Sequence, residues 1–218
     1  MKNLLQILLL AFVLIPSFTF AWEEYKVDVT QETFANGGEP DHFLPYTDFP
    51  AYYYLAYFAE SPSFSDKWSL IVKLDENRAA ASIYVLDGLP KYKSDAELAI
   101  AIAKSPEKRK ASLNLELAQA IYSMWANSLF ETRYSRFASG GFDGTRYIFA
   151  TYIRSIGWLG GTTWSPDRDA PPKWMVEVAH LLRQYVENKS QKSQANIRNR
   201  IMEIQSKLNN YLEKNGAL

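Results

Sequence analysis

Apolar positions first gather between Leu4 and Ile15, a run of 12 residues broken only by Gln6. Lys2 precedes it, Pro16 follows it, and Thr19-Phe20-Ala21 offers small residues at the two positions a signal peptidase reads. This is the tripartite pattern of a secretory signal. A helix rising about 1.5 Å per residue needs about 20 apolar residues to cross a bilayer. The run is too short for that, so the pattern predicts cleavage near Ala21 and a new N-terminus at Trp22. No later stretch is apolar enough to span a membrane, and without cysteine no lipid can be joined to an N-terminal thiol. The expected address is secreted or periplasmic.

From residue 22 to 50 the pattern is extended and loop-rich. Val27-Asp28-Val29-Thr30 fits a short strand, Asn36-Gly37-Gly38-Glu39-Pro40 a turn, and Pro45 and Pro50 oppose a helix. Denser apolar runs then appear at Tyr52–Phe58, Trp68–Leu74 and Ala79–Leu86. Their β-branched and aromatic residues favour strands, and Asp75-Glu76-Asn77-Arg78 joins two of them as a hairpin. A second hairpin is predicted over 143–164, opened by Asp143-Gly144 and turned at Ser155-Ile156-Gly157.

The remaining periodicity is helical. Ser94-Asp95-Ala96-Glu97 caps a helix that Pro106 ends. A longer helix is expected over 112–134, where Leu113, Leu117, Ile121 and Met124 form one stripe and Ala118, Trp125 and Leu129 another. A helix apolar over so much of its surface packs on more than one side. Pro171-Pro172 opens a helix over 172–188. Over 189–218, Ile197, Ile201, Ile204, Leu208 and Tyr211 step by four and three among polar residues. That narrow seam suits docking on the same domain or pairing with another chain. The expected fold is α+β: an antiparallel sheet from hairpins 51–87 and 143–164 packed against helices, followed by a C-terminal amphipathic helix. The expected organisation is a signal peptide (1–21), an acidic N-terminal segment (22–50), one α+β domain (51–188) and the C-terminal helix (189–218).

Composition adds three constraints. There is no cysteine, so an exported domain must be held by packing, and 47% apolar and 15% aromatic residues supply the material. The formal charge is zero, which disfavours a general nucleic-acid binder. Charge is uneven, however. Residues 22–50 hold Glu23, Glu24, Asp28, Glu32, Glu39, Asp41 and Asp48 against the single base Lys26.

Candidate chemistry is sparse. Cysteine nucleophiles are excluded, no G-x-S-x-G elbow is present, and Gly140-Gly141 and Gly160-Gly161 lack the lysine and spacing of phosphate loops. Asp66, Asp75, Glu76 and Asp143 read as turn residues. His180 reads as a solvated surface histidine, sharing a helix side with Arg183 and Glu187. Glu39, Asp41 and His42 are weak acid/base or metal candidates, short of the further ligands a metal site needs. The most unusual local composition is Arg133, Tyr134, Arg136, Arg146 and Tyr147, near Phe137 and Arg154. Arginine forks bind carboxylates and phosphates, and aromatic faces stack on sugars and guanidinium groups. The competing reading pairs those arginines with the acidic N-terminal segment of the same chain. Trp158 and Trp164 are candidate groove aromatics.

No cofactor or metal is implied. The expected function is an exported, non-enzymatic protein that binds another macromolecule, a protein or an envelope component, as an envelope accessory or an inhibitor/immunity-type binder. The alternatives are a small hydrolase using carboxylates on a cell-envelope or carbohydrate substrate, and a glycan-binding module.

Overall fold

Alternation of side chains along each strand decides which residues meet the helices. The computed structural model describes residues 53–75, 78–89, 107–132 and 143–215. Within them six strands form one antiparallel sheet: β1 (Tyr54–Pro62), β2 (Lys67–Leu74), β3 (Ala81–Leu89), β4 (Glu107–Leu113), β5 (Thr145–Ile153) and β6 (Gly157–Trp164). Their order is β4-β3-β2-β1-β5-β6. The two expected hairpin regions are therefore parts of one sheet, joined where Tyr57–Pro62 of β1 pairs with Thr145–Ala150 of β5. Pro62 lies beyond the last β1–β2 pair, Glu60 with Trp68, so its missing N–H costs that ladder nothing.

Three helices cover one face: α1 (Leu115–Phe130), α2 (Pro171–Glu187) and α3 (Gln191–Lys214). The fold is α+β, as the pattern predicted. The core between the layers joins Phe58, Leu70, Ile83, Val85 and Phe149 of the sheet to Ile121, Trp125, Met175, Leu182, Ile201 and Leu208 of the helices. In α1, Asn114 caps the N-terminus by accepting from the Leu117 N–H at 3.0 Å. Trp125 Nε1 donates to the Tyr57 carbonyl at 2.9 Å and so binds the helix to a central strand.

Two expectations need correction. The sequence pattern assigns no element to 107–111 and begins the helix at 112, yet Glu107–Leu113 is the edge strand β4, paired with β3 from Ala81–Leu113 to Asp87–Glu107. The helix consequently begins at Leu115 and ends at Phe130, inside the expected 112–134. Lysine and arginine on an edge strand oppose further pairing, and packing here overrides weak strand propensity. In α3 the seam ends on Leu212, which is 2% exposed, in place of Tyr211. Tyr211 instead meets the Trp174 ring edge-on at 5.5 Å. The seam residues Ile197, Ile201, Ile204 and Leu208 join the common core, so α3 docks on its own domain. Among the described residues no helix is long and apolar enough to cross a membrane. The expected signal peptide, the 22–50 segment and the helix before Pro106 lie outside the described residues.

Candidate functional site

On the helix-facing side, strand alternation places Ala56, Phe58 and Glu60 of β1 in line, and Ile83, Val85 and Asp87 of β3 likewise. Register then aligns one level across the sheet: Thr163, Tyr147, Glu60, Trp68 and Asp87 are successive cross-strand neighbours from β6 to β3. Helix α2 crosses this level. Strands are spaced about 4.8 Å apart and a helix rises about 1.5 Å per residue, so each strand crossed takes about three helical residues. His180 therefore falls above β1, Arg183 above Trp68 of β2 with its guanidinium reaching on to Asp87 of β3, and Glu187 about two strands from His180, within reach of Arg109 of β4.

The contacts follow that geometry. His180 Nε2 lies 2.9 Å from Glu60 Oε2, and Trp68 Nε1 donates to the same oxygen at 2.9 Å. The approach of His180 is off the line of its ring N–H, so Nε2 gains proximity to charge without an aligned hydrogen bond. Its ring stands edge-on to Trp68 at 5.6 Å. The Arg183 guanidinium stacks over Trp68 at 4.6 Å and donates to Asp87 at 2.8 Å. Asp87 also accepts from Arg109, whose other arm reaches Glu187 at 2.7 Å. His180 is thus no solvated surface residue: it is half-buried, and its polar and ring contacts tie α2 to β1 and β2.

Burial alone would raise the Glu60 carboxyl. The His180 contact, the Trp68 N–H and the Arg183 charge more than offset it and hold the pKa below 4.5. Tyr147 is moved upward by burial and then by the Glu60 charge. Glu60 thus stays ionised at neutral pH and accepts hydrogen bonds without donating a proton. The cluster clamps α2 across the sheet.

The sign of its pH dependence follows. A carboxyl lowered on folding contributes stability above its unfolded value, and that contribution is lost as pH falls through the folded pKa. The stability gap between the unaltered chain and Glu60→Gln is expected to shrink as pH drops below 4.5. Urea midpoints at pH 7 and pH 3 measure it, and an unchanged gap would contradict the clamp.

The other face of the sheet has a different character. Alternation brings Lys67 and Lys73 of β2, Lys110 of β4 and Arg146 of β5 to this side. Among the described side chains of the strands, it holds no Asp or Glu, because Glu60 and Asp87 both point to the helices. Lys73 and Lys110 stand over the Tyr84 ring at 5.1 and 5.3 Å. A second apolar cluster joins Tyr54, Tyr57, Ile71, Leu86, Ile148 and Ala150, with Tyr84 and Trp158 packed against it. Trp158 meets Tyr54 at 5.8 Å and Tyr152 at 5.4 Å. Every buried residue of this cluster belongs to a strand.

The expected binding residues divide accordingly. Arg146, Trp158 and Trp164 share the basic face. Tyr147 lies on the helix side beside Phe58, at a ring distance of 6.0 Å, because neighbours in a strand point to opposite faces. Trp164 also explains Gly144, where a Cβ would come within 2.6 Å of the indole nitrogen. Arg133, Tyr134, Arg136, Glu39, Asp41 and His42 lie outside the described residues. Among those described, no three His, Cys, Asp or Glu side chains gather as a metal site. Comparison with protein-family models, curated proteins and solved structures finds no match.

Sequence reading missed Glu60, Trp68, Asp87, Arg109, Arg183 and Glu187, and it missed the Lys73–Tyr84–Lys110 stack. The available signal was parity. Glu60 and Asp87 occupy inward positions of their strands, and His180, Arg183 and Glu187 form a polar i, i+3, i+7 stripe on an otherwise apolar helix.

Proposed function

We propose that the chain is an exported, non-enzymatic protein that binds an acidic protein surface through the sheet face opposite its helices. The observation that carries this reading is the segregation of charge across the sheet. The strand bases Lys67, Lys73, Lys110 and Arg146 gather on one face, interleaved with Tyr84 and Trp158, while the acids Glu60 and Asp87 turn to the other. Aromatic and basic side chains together suit a macromolecular interface, where rings contribute area and cations steer an acidic partner.

Ion pairing argues against the carboxylate hydrolase. Glu60, Asp87, Asp169, Glu177 and Glu187 each contact a cationic side chain or histidine. A glycosidase acid needs a carboxyl held protonated near neutrality, whereas Glu60 is shifted the other way. The glycan-binding alternative draws on Trp158 and Trp164 but loses Tyr147 to the helix side.

The test is capture from the native envelope with immobilised mature chain. Lys73→Glu/Lys110→Glu is expected to reduce recovery of the bound protein at least tenfold, and Arg200→Glu on the helix side to leave it unchanged. Recovery unaffected by the double reversal, or no recovery by any form, would end the proposal.

A further inference from the structure

We propose that the acidic partner docks as an added strand, with an extended segment pairing antiparallel to the outer edge of β4. This inference rests on the basic face being a receptor for an acidic protein surface, and it names the mode of docking. In an antiparallel ladder every second residue of an edge strand turns its N–H and C=O away from its neighbour. Such groups are a template for another chain. Among the described residues no strand lies beyond β4. Among them, too, the backbone of Lys110 and Ala111 is bonded only within the β3–β4 ladder. The Tyr185 hydroxyl donates to the Ser112 carbonyl at 3.4 Å, so β4 offers its edge over 107–111.

Charge selects this edge and its occupant. The opposite edge, β6, contains no charged residue and so makes no choice by charge. In β4, Ala111 and Leu113 pack towards the helices, and Arg109 turns the same way to Asp87 and Glu187. Lys110 therefore stands on the opposite face, exposed, with the Tyr84 ring beside it and Lys73 on the ring's other flank. A residue directly across from Lys110 on an added strand has its Cβ about 4.5–5.5 Å away. A carboxylate there meets one ammonium directly, with a second cation across the tyrosine. Opposite charges facing each other across strands stabilise the pair, and like charges destabilise it. The same lysine thus repels the β4 edge of a second copy and accepts an acidic strand. Alternation sets the rest of the pattern. The residue beside Ala111 turns to the helix side, where Ala111 and Leu113 make the rim apolar. The segment that fits alternates acidic with apolar residues.

Titrating the isotopically labelled chain with an alternating Glu-Val octapeptide tests this. Along a strand the N–H groups alternate between edges with the same period as side chains alternate between faces. All Glu amides therefore share one edge, and all Val amides the other. N-methylating either set gives two peptides of equal charge, only one of which keeps its donors for β4. Strand addition predicts amide shifts along Glu107–Leu113 with the unmodified peptide. It also predicts at least tenfold weaker binding of one methylated peptide and unchanged binding of the other. Lys110→Gln, at an exposed position, is expected to weaken the unmodified peptide severalfold. Equal affinities of the two methylated peptides, with shifts at Lys73 and Tyr84, would overturn strand addition and leave the basic face as a receptor. No binding by the unmodified peptide would overturn both ideas.

Discussion

Trp125→Ala is expected to lower the stability of the chain by about 3–5 kcal/mol, the usual cost of emptying a buried aromatic site. Trp125 is fully buried, packs on Phe149 at a ring distance of 5.7 Å, and donates its indole N–H to the Tyr57 carbonyl. The change therefore removes both packing and a hydrogen bond between helix and sheet. Domains of this kind hold about 5–15 kcal/mol in total, so the loss should shift the urea midpoint strongly. Trp125→Phe keeps an aromatic ring but gives up the donor. It should cost less, about 1–3 kcal/mol, chiefly from the carbonyl's lost partner. Equal midpoints for the two variants would show that ring volume contributes little there. The chain has no cysteine, so no disulfide masks the effect.

The second large effect is expected at the C-terminal helix. Leu208 is 0% exposed and belongs to the common core. Leu208→Ala should cost about 2–5 kcal/mol. Ser206→Ala, at an exposed position two residues away, should stay within about 0.5 kcal/mol of the unaltered chain. The same experiment separates docking from pairing with another chain. A helix spent on its own domain melts with a midpoint independent of protein concentration, whereas a helix paired between chains gains stability as concentration rises. The expected result is a constant midpoint over a tenfold range of concentration.

The elements that followed apolar periodicity were readable from sequence, and those placed by tertiary context were not. The β2–β3 hairpin and α2 announced themselves through alternation, turn residues and the Pro171-Pro172 start. Strand β4 did not, because Lys108, Arg109 and Lys110 mimic a solvated loop. Only pairing with β3, with Leu113 and Ala111 turned inward, reveals their role. The expected arginine–aromatic cluster failed for a related reason. Proximity in sequence placed Arg146 beside Tyr147, but a period of two sends them to opposite faces. The clamp built from Glu60, Asp87, Arg109, His180 and Arg183 joins residues up to 120 positions apart, such as Glu60 and His180. No local pattern carries that information. What the sequence did carry was the parity of each acid and base, and that parity becomes meaningful once the strand register is known.

Clamped acids on the helix side and bases on the opposite side make one sheet into two chemically distinct surfaces. The clamp leaves its carboxylates engaged, and the basic side joins cations to rings, the arrangement on which the proposed binding of an acidic protein surface rests.

The most direct test is to titrate the isotopically labelled chain with a glutamate-rich peptide and map the residues whose NMR signals move. The account predicts shifts concentrated at Lys73, Tyr84, Lys110 and Arg146, with His180, Arg183 and Glu187 unmoved. Shifts confined to the helix side, or no shift at any residue of the basic face, would contradict it.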